Sequence, residues 1–257
     1  MASSSLLLEA AILNALPLQN NEYDPFARLY NRHWGADYRA EAFPVVERLL
    51  LSRLKPHATV LDVCCGTGQF TELVRSRGYE LAGIDSSPEM IRYARENAPL
   101  AELTVADVRR FSLGRKFDAA YSVFESLNHV PELKSAFKNV KKHLEPEGRF
   151  LFDLNREEAF VLYWNTTDSI VTEDMVCVLR MEYDEKSRIG TCDVTEFAKK
   201  GEWTRTDYTL RQTCHDPDDV QNALFDAGFS DVSLYDARDV GMKGDAGYGR
   251  MFFLAQS

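Results

Sequence analysis

The sequence predicts an α/β fold: a mostly parallel sheet with helices on both faces, carrying an inserted antiparallel β segment. Three observations predict it. From residue 45, apolar runs of strand length alternate with amphipathic helical stretches. After about residue 165 that rhythm gives way to strand-like runs joined by the short polar turns "EKSR" and "KGE". The alternation then resumes near residue 215 and runs to the end. At 257 residues and 45% hydrophobic content, the chain can fill one large core with an appendage.

The elements follow in order. "MASSSLLLEAAILNALPLQN" has no basic start, and Glu9 interrupts its apolar run, so it reads as a short docking helix and not a signal peptide. It is also too short to span a bilayer, and the expected location is cytoplasmic. Residues 1–44 make an N-terminal helical segment. The core spans 45–166 and 215–257, and the insertion 167–214. "VVERLLLSRLKP" is helical and "TVLDVCC" is a buried strand. "QFTELVRSRG" is a helix ending at Gly78, and "ELAGID" is the second strand. "SPEMIRYARENAP" is a helix with Ser87 as cap and Pro88 at its first position. "AELTVADV" and "KFDAAYSVF" are strands. "VPELKSAFKNVKKHLEPEG" is a helix with late basic residues and a terminal glycine, and "RFLFDLN" is the fifth strand. The insertion reads as three strands: "SIVTEDMVCVLRMEYD", "GTCDVTEFAKK" and "WTRTDYTLRQTC". A capped helix, "DPDDVQNALFDAGF", then precedes the strands "DVSLYDA" and "GRMFFLAQ".

"VLDVCCGTGQF", residues 60–70, joins a strand to a helix through a glycine turn. Such a turn presents backbone N–H groups to a ligand, and glycine allows close approach. Asp62 lies four residues before Gly66, Asp85 lies 19 after it, and Asp107 follows the third strand. Three acidic residues at successive strand ends line the edge where open α/β sheets bind ligands. A carboxylate at Asp85 suits the vicinal hydroxyls of a ribose. A dinucleotide fingerprint needs a third glycine, where Thr71 stands, and no Lys-Ser/Thr follows the turn. A nucleoside with a zwitterionic tail therefore fits better than a pyrophosphate.

"VLDVCCGTGQF", "AGIDSSPEMI", "TVADVRRF" and "FDAAYSVFESLNHV", in this order, resemble the successive motifs of class I S-adenosylmethionine-dependent methyltransferases, and among them the small-molecule N-methyltransferases, amino-sugar dimethyltransferases included. The match is good over residues 22 to 155. It implies a Rossmann-like seven-stranded sheet of order 3-2-1-4-5-7-6 with the seventh strand antiparallel. It implies S-adenosyl-L-methionine as cofactor and no metal. Asp62, Gly66, Thr67 and Gly68 would hold its methionine part, and Asp85, with Ser86 beside it, the ribose. Met90 would pack on adenine. Asp107 would accept from the adenine amino group, and Val108 would offer its N–H. Phe124 would set its backbone near the methionine end. Cys64 occupies the family's first glycine slot. The resemblance also makes the N-terminal helix a lid over the cofactor, with Tyr23 and Tyr30 on it and Tyr30 near the transferring methyl.

On the acceptor side, "ESLNHV" holds Glu125, Asn128 and His129. Histidine titrates in the range of a general base, so His129 and Tyr30 are the catalytic candidates. Asn155 points to the same edge, and His33 and Trp34 are weaker candidates. An antiparallel last strand returns from that edge, which places "RDVGMKGDAGYG" there, with Arg238, Lys243 and Tyr248. The insertion adds Arg180, Glu182, Glu196, Arg205 and Arg211, facing solvent, the substrate cavity or a second subunit; a homodimer is left open.

A net charge of −10 disfavours nucleic acid as a partner. Five cysteines, an odd number with no C-x-x-C pair, read as reduced thiols and not a zinc site or disulfide framework. The leading expectation is methylation of a small polar molecule, at nitrogen before oxygen. Protein methylation, a non-catalytic cofactor-binding module and a nicotinamide dehydrogenase are the alternatives.

Overall fold

The computed structural model describes residues 21–35 and 38–257. The helix expected in the first 20 residues lies outside the described residues. The seven strands of the main sheet are β1 (Thr59–Val63), β2 (Glu80–Asp85), β3 (Glu102–Val105), β4 (Phe117–Ser122), β5 (Leu144–Asn155), β10 (Asp231–Asp236) and β11 (Arg250–Gln256). They lie in the order β3-β2-β1-β4-β5-β11-β10. β1 to β5 pair in parallel, and β11 runs antiparallel to both β5 and β10. This is the 3-2-1-4-5-7-6 order.

The central strands are buried on both faces, so they read as continuous apolar runs. On one face, Leu133, Phe137 and Val140 of helix Leu133–Lys142 and Val220 and Leu224 of helix Pro217–Ala227 cover Phe150, Phe152 and Phe253. On the other, Val45, Val46 and Leu49 pack with Phe70 and Val74 against Tyr121, Leu151 and Phe252. Helix Pro88–Asn97 starts as its sequence predicts: Pro88 opens it, and Ser87 Oγ accepts the Met90 N–H at 3.0 Å.

Three boundaries differ from expectation. Helix Tyr38–Leu49 runs straight through the boundary at residue 45, and its end is part of the core. Helix Leu133–Lys142 stops before its glycine, because residues 144–155 pair as β5. The insertion has four strands and not three: β6 (Thr166–Val171), β7 (Met175–Asp184), β8 (Ile189–Lys200) and β9 (Glu202–Thr213), an antiparallel sheet in chain order. A tight turn splits the first run, where the Thr172 N–H donates to the Met175 carbonyl at 2.8 Å.

The inner face of this second sheet is apolar: Met175, Cys177, Leu179, Val194 and Leu210. Helix α1 (Ala27–His33) lies on it through Phe26 and Leu29, and Met90 of the core joins the same cluster. Arg28 and Arg32 both bond Asp174 in the β6–β7 turn, at 3.1 and 2.8 Å. The N-terminal segment is thereby fastened to the insertion. No helix among the described residues is long and apolar enough to cross a membrane.

Candidate active site

A cavity of about 730 Å³ opens at the carboxyl edge of β1 to β4, between the main sheet, the N-terminal segment and the end of β9. Its floor is the turn after β1. Cys64, Gly66 and Gly68 all have left-handed backbones, with φ of 60°, 53° and 82°. A side chain on Gly68 would press on the Ala94 backbone at 2.8 Å. Its glycine therefore serves close packing of two helices. Cys65 is buried, and its sulfur fills the space over Gly83, at 3.1 Å from where a Cβ would stand.

The three strand-end carboxylates have different surroundings. Asp62 is buried and accepts from Thr71 Oγ1 at 2.6 Å and Tyr121 OH at 2.9 Å. Burial pushes its carboxyl up to about 7, against those two hydrogen bonds. Asp85 accepts the Gly66 and Ser87 N–H groups, each at 2.9 Å, and so fixes the turn while facing the cavity. Burial raises it to about 6. For Asp107, burial works upward, but the Arg109 guanidinium and backbone N–H outweigh it and hold the carboxyl below its ordinary value. Arg109 Nη2 reaches Asp107 Oδ2 at 2.6 Å.

Opposite the turn stands a wall of hydrogen-bonded side chains. His129 ends the short 3-10 turn Ser126–His129. Its Nδ1 lies 2.7 Å from the Arg211 carbonyl oxygen, which can only accept, so Nδ1 carries the proton. Nε2 then accepts, from the Tyr23 hydroxyl in a short contact and from Gln212 Nε2 at 3.0 Å. Burial lowers the imidazole to about 4, opposed in part by the Arg211 carbonyl. The ring is neutral at physiological pH. Burial likewise raises the Tyr23 phenol well above its usual value, with Glu125 adding to the rise. The turn is held from behind by Asn128, whose amide donates to the Asn155 and Thr213 carbonyls at 3.2 and 2.8 Å. Before it, Phe124 and Glu125 are both left-handed, with φ of 65° and 46°. Two such residues in a row cost roughly 1–3 kcal/mol each. A buried ion cluster holds them: Arg250 bonds Glu125 at 2.5 Å and also contacts Asp153.

Twelve of the fourteen cofactor and catalytic candidates line the cavity: Tyr23, Tyr30, Asp62, Cys64, Gly66, Asp85, Ser86, Met90, Asp107, Val108, Phe124 and His129. Thr67 and Gly68 do not. Thr67 is buried in the turn, and Gly68 packs on Ala94. Arg238, Lys243 and Tyr248 are not on this wall either, and Arg238 pairs with Asp236. Of the insertion's charged residues, among the described ones only Arg211 reaches it. Glu196 is buried near Arg28, and Arg205 pairs with Asp207. Sequence reasoning missed Gln69, Arg109 and Arg110. The arginines sit two and three places after Asp107, where a partner for that carboxylate was to be sought.

The donor set fits the methionine-derived nucleoside. Asp85 keeps free lone pairs on both oxygens, Met90, Ala106 and Val108 supply apolar flanks, and the turn offers backbone groups. When bound, the cofactor supplies an electrophilic methyl on a sulfonium. Among the described residues, no three His, Cys, Asp or Glu side chains gather as metal ligands.

Fold and site together define a nucleoside-binding α/β enzyme whose ligands meet under a helical strap. The comparisons narrow this. Residues 60–148 match the model of a methyltransferase domain. Over 161 residues the chain is 39% identical to the dTDP-3-amino-3,4,6-trideoxy-alpha-D-glucopyranose N,N-dimethyltransferase of Streptomyces venezuelae, covering 61% of this chain and 67% of that one. It is 36% identical over 118 residues to the dTDP-3-amino-3,6-dideoxy-alpha-D-glucopyranose N,N-dimethyltransferase of Streptomyces fradiae, covering 44% of this chain and under half, 46%, of that relative. In structure it is similar to a S-adenosylmethionine-dependent methyltransferase from Clostridium acetobutylicum, with a TM-score of 0.73 at 22% identity over 92% of this chain and 99% of the other. An amino pentose methyltransferase from Micromonospora echinaspora, solved with S-adenosylmethionine bound, gives 0.69 at 23% identity over 90% and 94%. The chain belongs to the S-adenosylmethionine-dependent methyltransferases.

Proposed function

We propose that this chain methylates an amine nitrogen on a small polar molecule of the amino-sugar class. The observation that carries the reading is the Tyr23–His129 pair in the cavity wall. The phenol donates its hydrogen bond to Nε2, which leaves the phenol oxygen an acceptor, and an amine N–H donates to such an oxygen. A neutral imidazole with its value lowered to about 4 is too weak a base to strip a hydroxyl. A neutral amine needs no such base, only alignment and a route for its proton once the new bond forms. The relatives named as amino-sugar N,N-dimethyltransferases support the same acceptor class.

In this reading Tyr23 and His129 orient the amine, whose proton passes to water once the new bond has formed, and Tyr30, whose Cε1 lies 3.5 Å from where a Cβ on Gly66 would stand, guards the methyl-bearing end. Asp85 and Ser86 hold the ribose. Met90, Asp107 and Val108 hold the adenine. Asp62, Cys64, Gly66 and Phe124 surround the methionine part, with Thr67 and Gly68 shaping the turn from beneath. Five free thiols accord with a reducing, cytoplasmic setting.

The test is a methyl-transfer assay on amino sugars and their hydroxyl analogues. Amines should be methylated and hydroxyl analogues spared. Tyr23→Phe should slow turnover about a hundredfold, the scale of lost alignment, with S-adenosylhomocysteine affinity within about twofold. Equal turnover of hydroxyl analogues would sink the reading.

A further inference from the structure

One polar network touches the cavity from below. Gln69 lines the cavity at the first position of the helix after the glycine turn. Its Nε2 donates to Asn31 Oδ1 at 2.7 Å, and its Oε1 accepts from Thr67 Oγ1 at 2.5 Å. Asn97, at the end of helix Pro88–Asn97, donates from its amide nitrogen to the same Asn31 Oδ1 and to the Thr67 carbonyl, each at 2.7 Å. One oxygen on α1 is therefore the common acceptor for two amides that brace Thr67 through its hydroxyl and its carbonyl. A side chain on Gly35, at the other end of this contact, would overlap the Gln69 amide at 2.5 Å. The N-terminal segment thus sits flush on Gln69.

We propose that Asn31 is a positioning residue for the cofactor: its carboxamide oxygen couples the seating of α1 to the shape of the glycine turn, and so sets cofactor affinity. With α1 seated, Gln69 and Asn97 have their acceptor, and Thr67 is fixed between Cys65–Gly66 and the helix. With α1 displaced, both amides lose that acceptor. Thr67 is then held by donors that water can draw away. Asn31 enters the network through an oxygen that only accepts, so the position needs an acceptor and not an amide as such. This inference rests on the reading of the cavity as the cofactor's.

The experiment measures S-adenosylhomocysteine affinity by calorimetry, with the melting temperature of each unliganded protein alongside. Asn31→Leu, of similar size but with no acceptor, should weaken binding about tenfold, the loss expected for one to two neutral hydrogen bonds. Asn31→Asp keeps the acceptor and should stay within about threefold of wild type. Gln69→Leu should weaken binding in the wild type and add little in the Asn31→Leu background. A fall in melting temperature with affinity unchanged in Asn31→Leu would overturn the proposal, as would equal losses in the Leu and Asp variants. Failure of the wild type itself to bind S-adenosylhomocysteine would overturn the cavity reading instead.

Discussion

The two walls of the cavity are built differently. The floor comes from short stretches at the ends of adjacent parallel strands: 62–66, 85–90 and 106–108. It is held by hydrogen bonds from backbone N–H groups to side chains, such as Gly66 N–H to the Asp85 carboxylate. The opposite wall is assembled from remote pieces. Tyr23 and His129 are 106 residues apart, and Arg211 and Glu22, paired at 2.7 Å, are 189 apart. Its links to the core are polar: Asn21 to Ser86 at 2.7 Å, Ser87 Oγ to Asp24 at 2.5 Å. The apolar packing of α1 goes mainly to the insertion, with Met90 and Tyr93 of helix Pro88–Asn97 in the same cluster. A floor fixed by the sheet suits a ligand common to a whole family. A wall latched by polar contacts suits a part that opens for exchange and differs between acceptors.

The strongest way to break this division is at Asp85. Asp85→Ala removes the acceptor for two turn amides and for the ribose, and should weaken S-adenosylhomocysteine binding by about 1.5–3 kcal/mol, the worth of charge-assisted bonds. Unchanged affinity would refute a floor devoted to the cofactor. Asp85→Asn, which keeps one acceptor, should fall between.

A smaller effect separates the walls by pH. His129 has its value lowered to about 4, from an ordinary value near 6.5. The unfolded chain therefore binds a proton that the native state refuses, and stability held above pH 6.5 is lost as pH falls toward 4. The floor carboxylates act oppositely. Asp62 and Asp85 are raised to about 7 and about 6, so the native state binds their protons first and gains stability on the same descent. The difference between wild type and His129→Gln cancels the carboxylates. It should shrink by up to about 2 kcal/mol between pH 6.5 and 4.5 in urea titrations. A difference independent of pH would mean that the imidazole is not held neutral.

The same division explains what was legible in the sequence. Asp62, Gly66 and Asp85 announce themselves by spacing, because each closes a strand whose apolar run is plain. Tyr23 and His129 could be named one by one, but not as a pair: contact between them depends on how α1 lies on a sheet that starts at Thr166. The strand count of that insertion was misread because "TED" looks like strand interior until Asp174 is seen gathering Thr172, Arg28 and Arg32 in a turn. The resemblance sets Gly68 against the methionine part, and its glycine is also needed for close packing on Ala94, since a ligand contact and a close helix leave the same mark in one sequence. Asn31 gave no mark at all, because its role lies in two partners on two other helices, Gln69 and Asn97.

The least effect is expected at Cys64, and it tests whether the floor is already optimal. Cys64 holds φ 60° where the family often carries glycine. A left-handed non-glycine residue costs roughly 1–2 kcal/mol. Glycine would relieve that strain but loosen the unfolded chain by roughly 0.5–1 kcal/mol and forfeit the packing of the side chain against the core. Cys64→Gly should therefore raise stability by less than about 1 kcal/mol, seen as a melting-temperature gain of a few degrees at most. A loss instead would mean that the sulfur's packing outweighs the backbone strain, and that the thiol is part of what holds the turn.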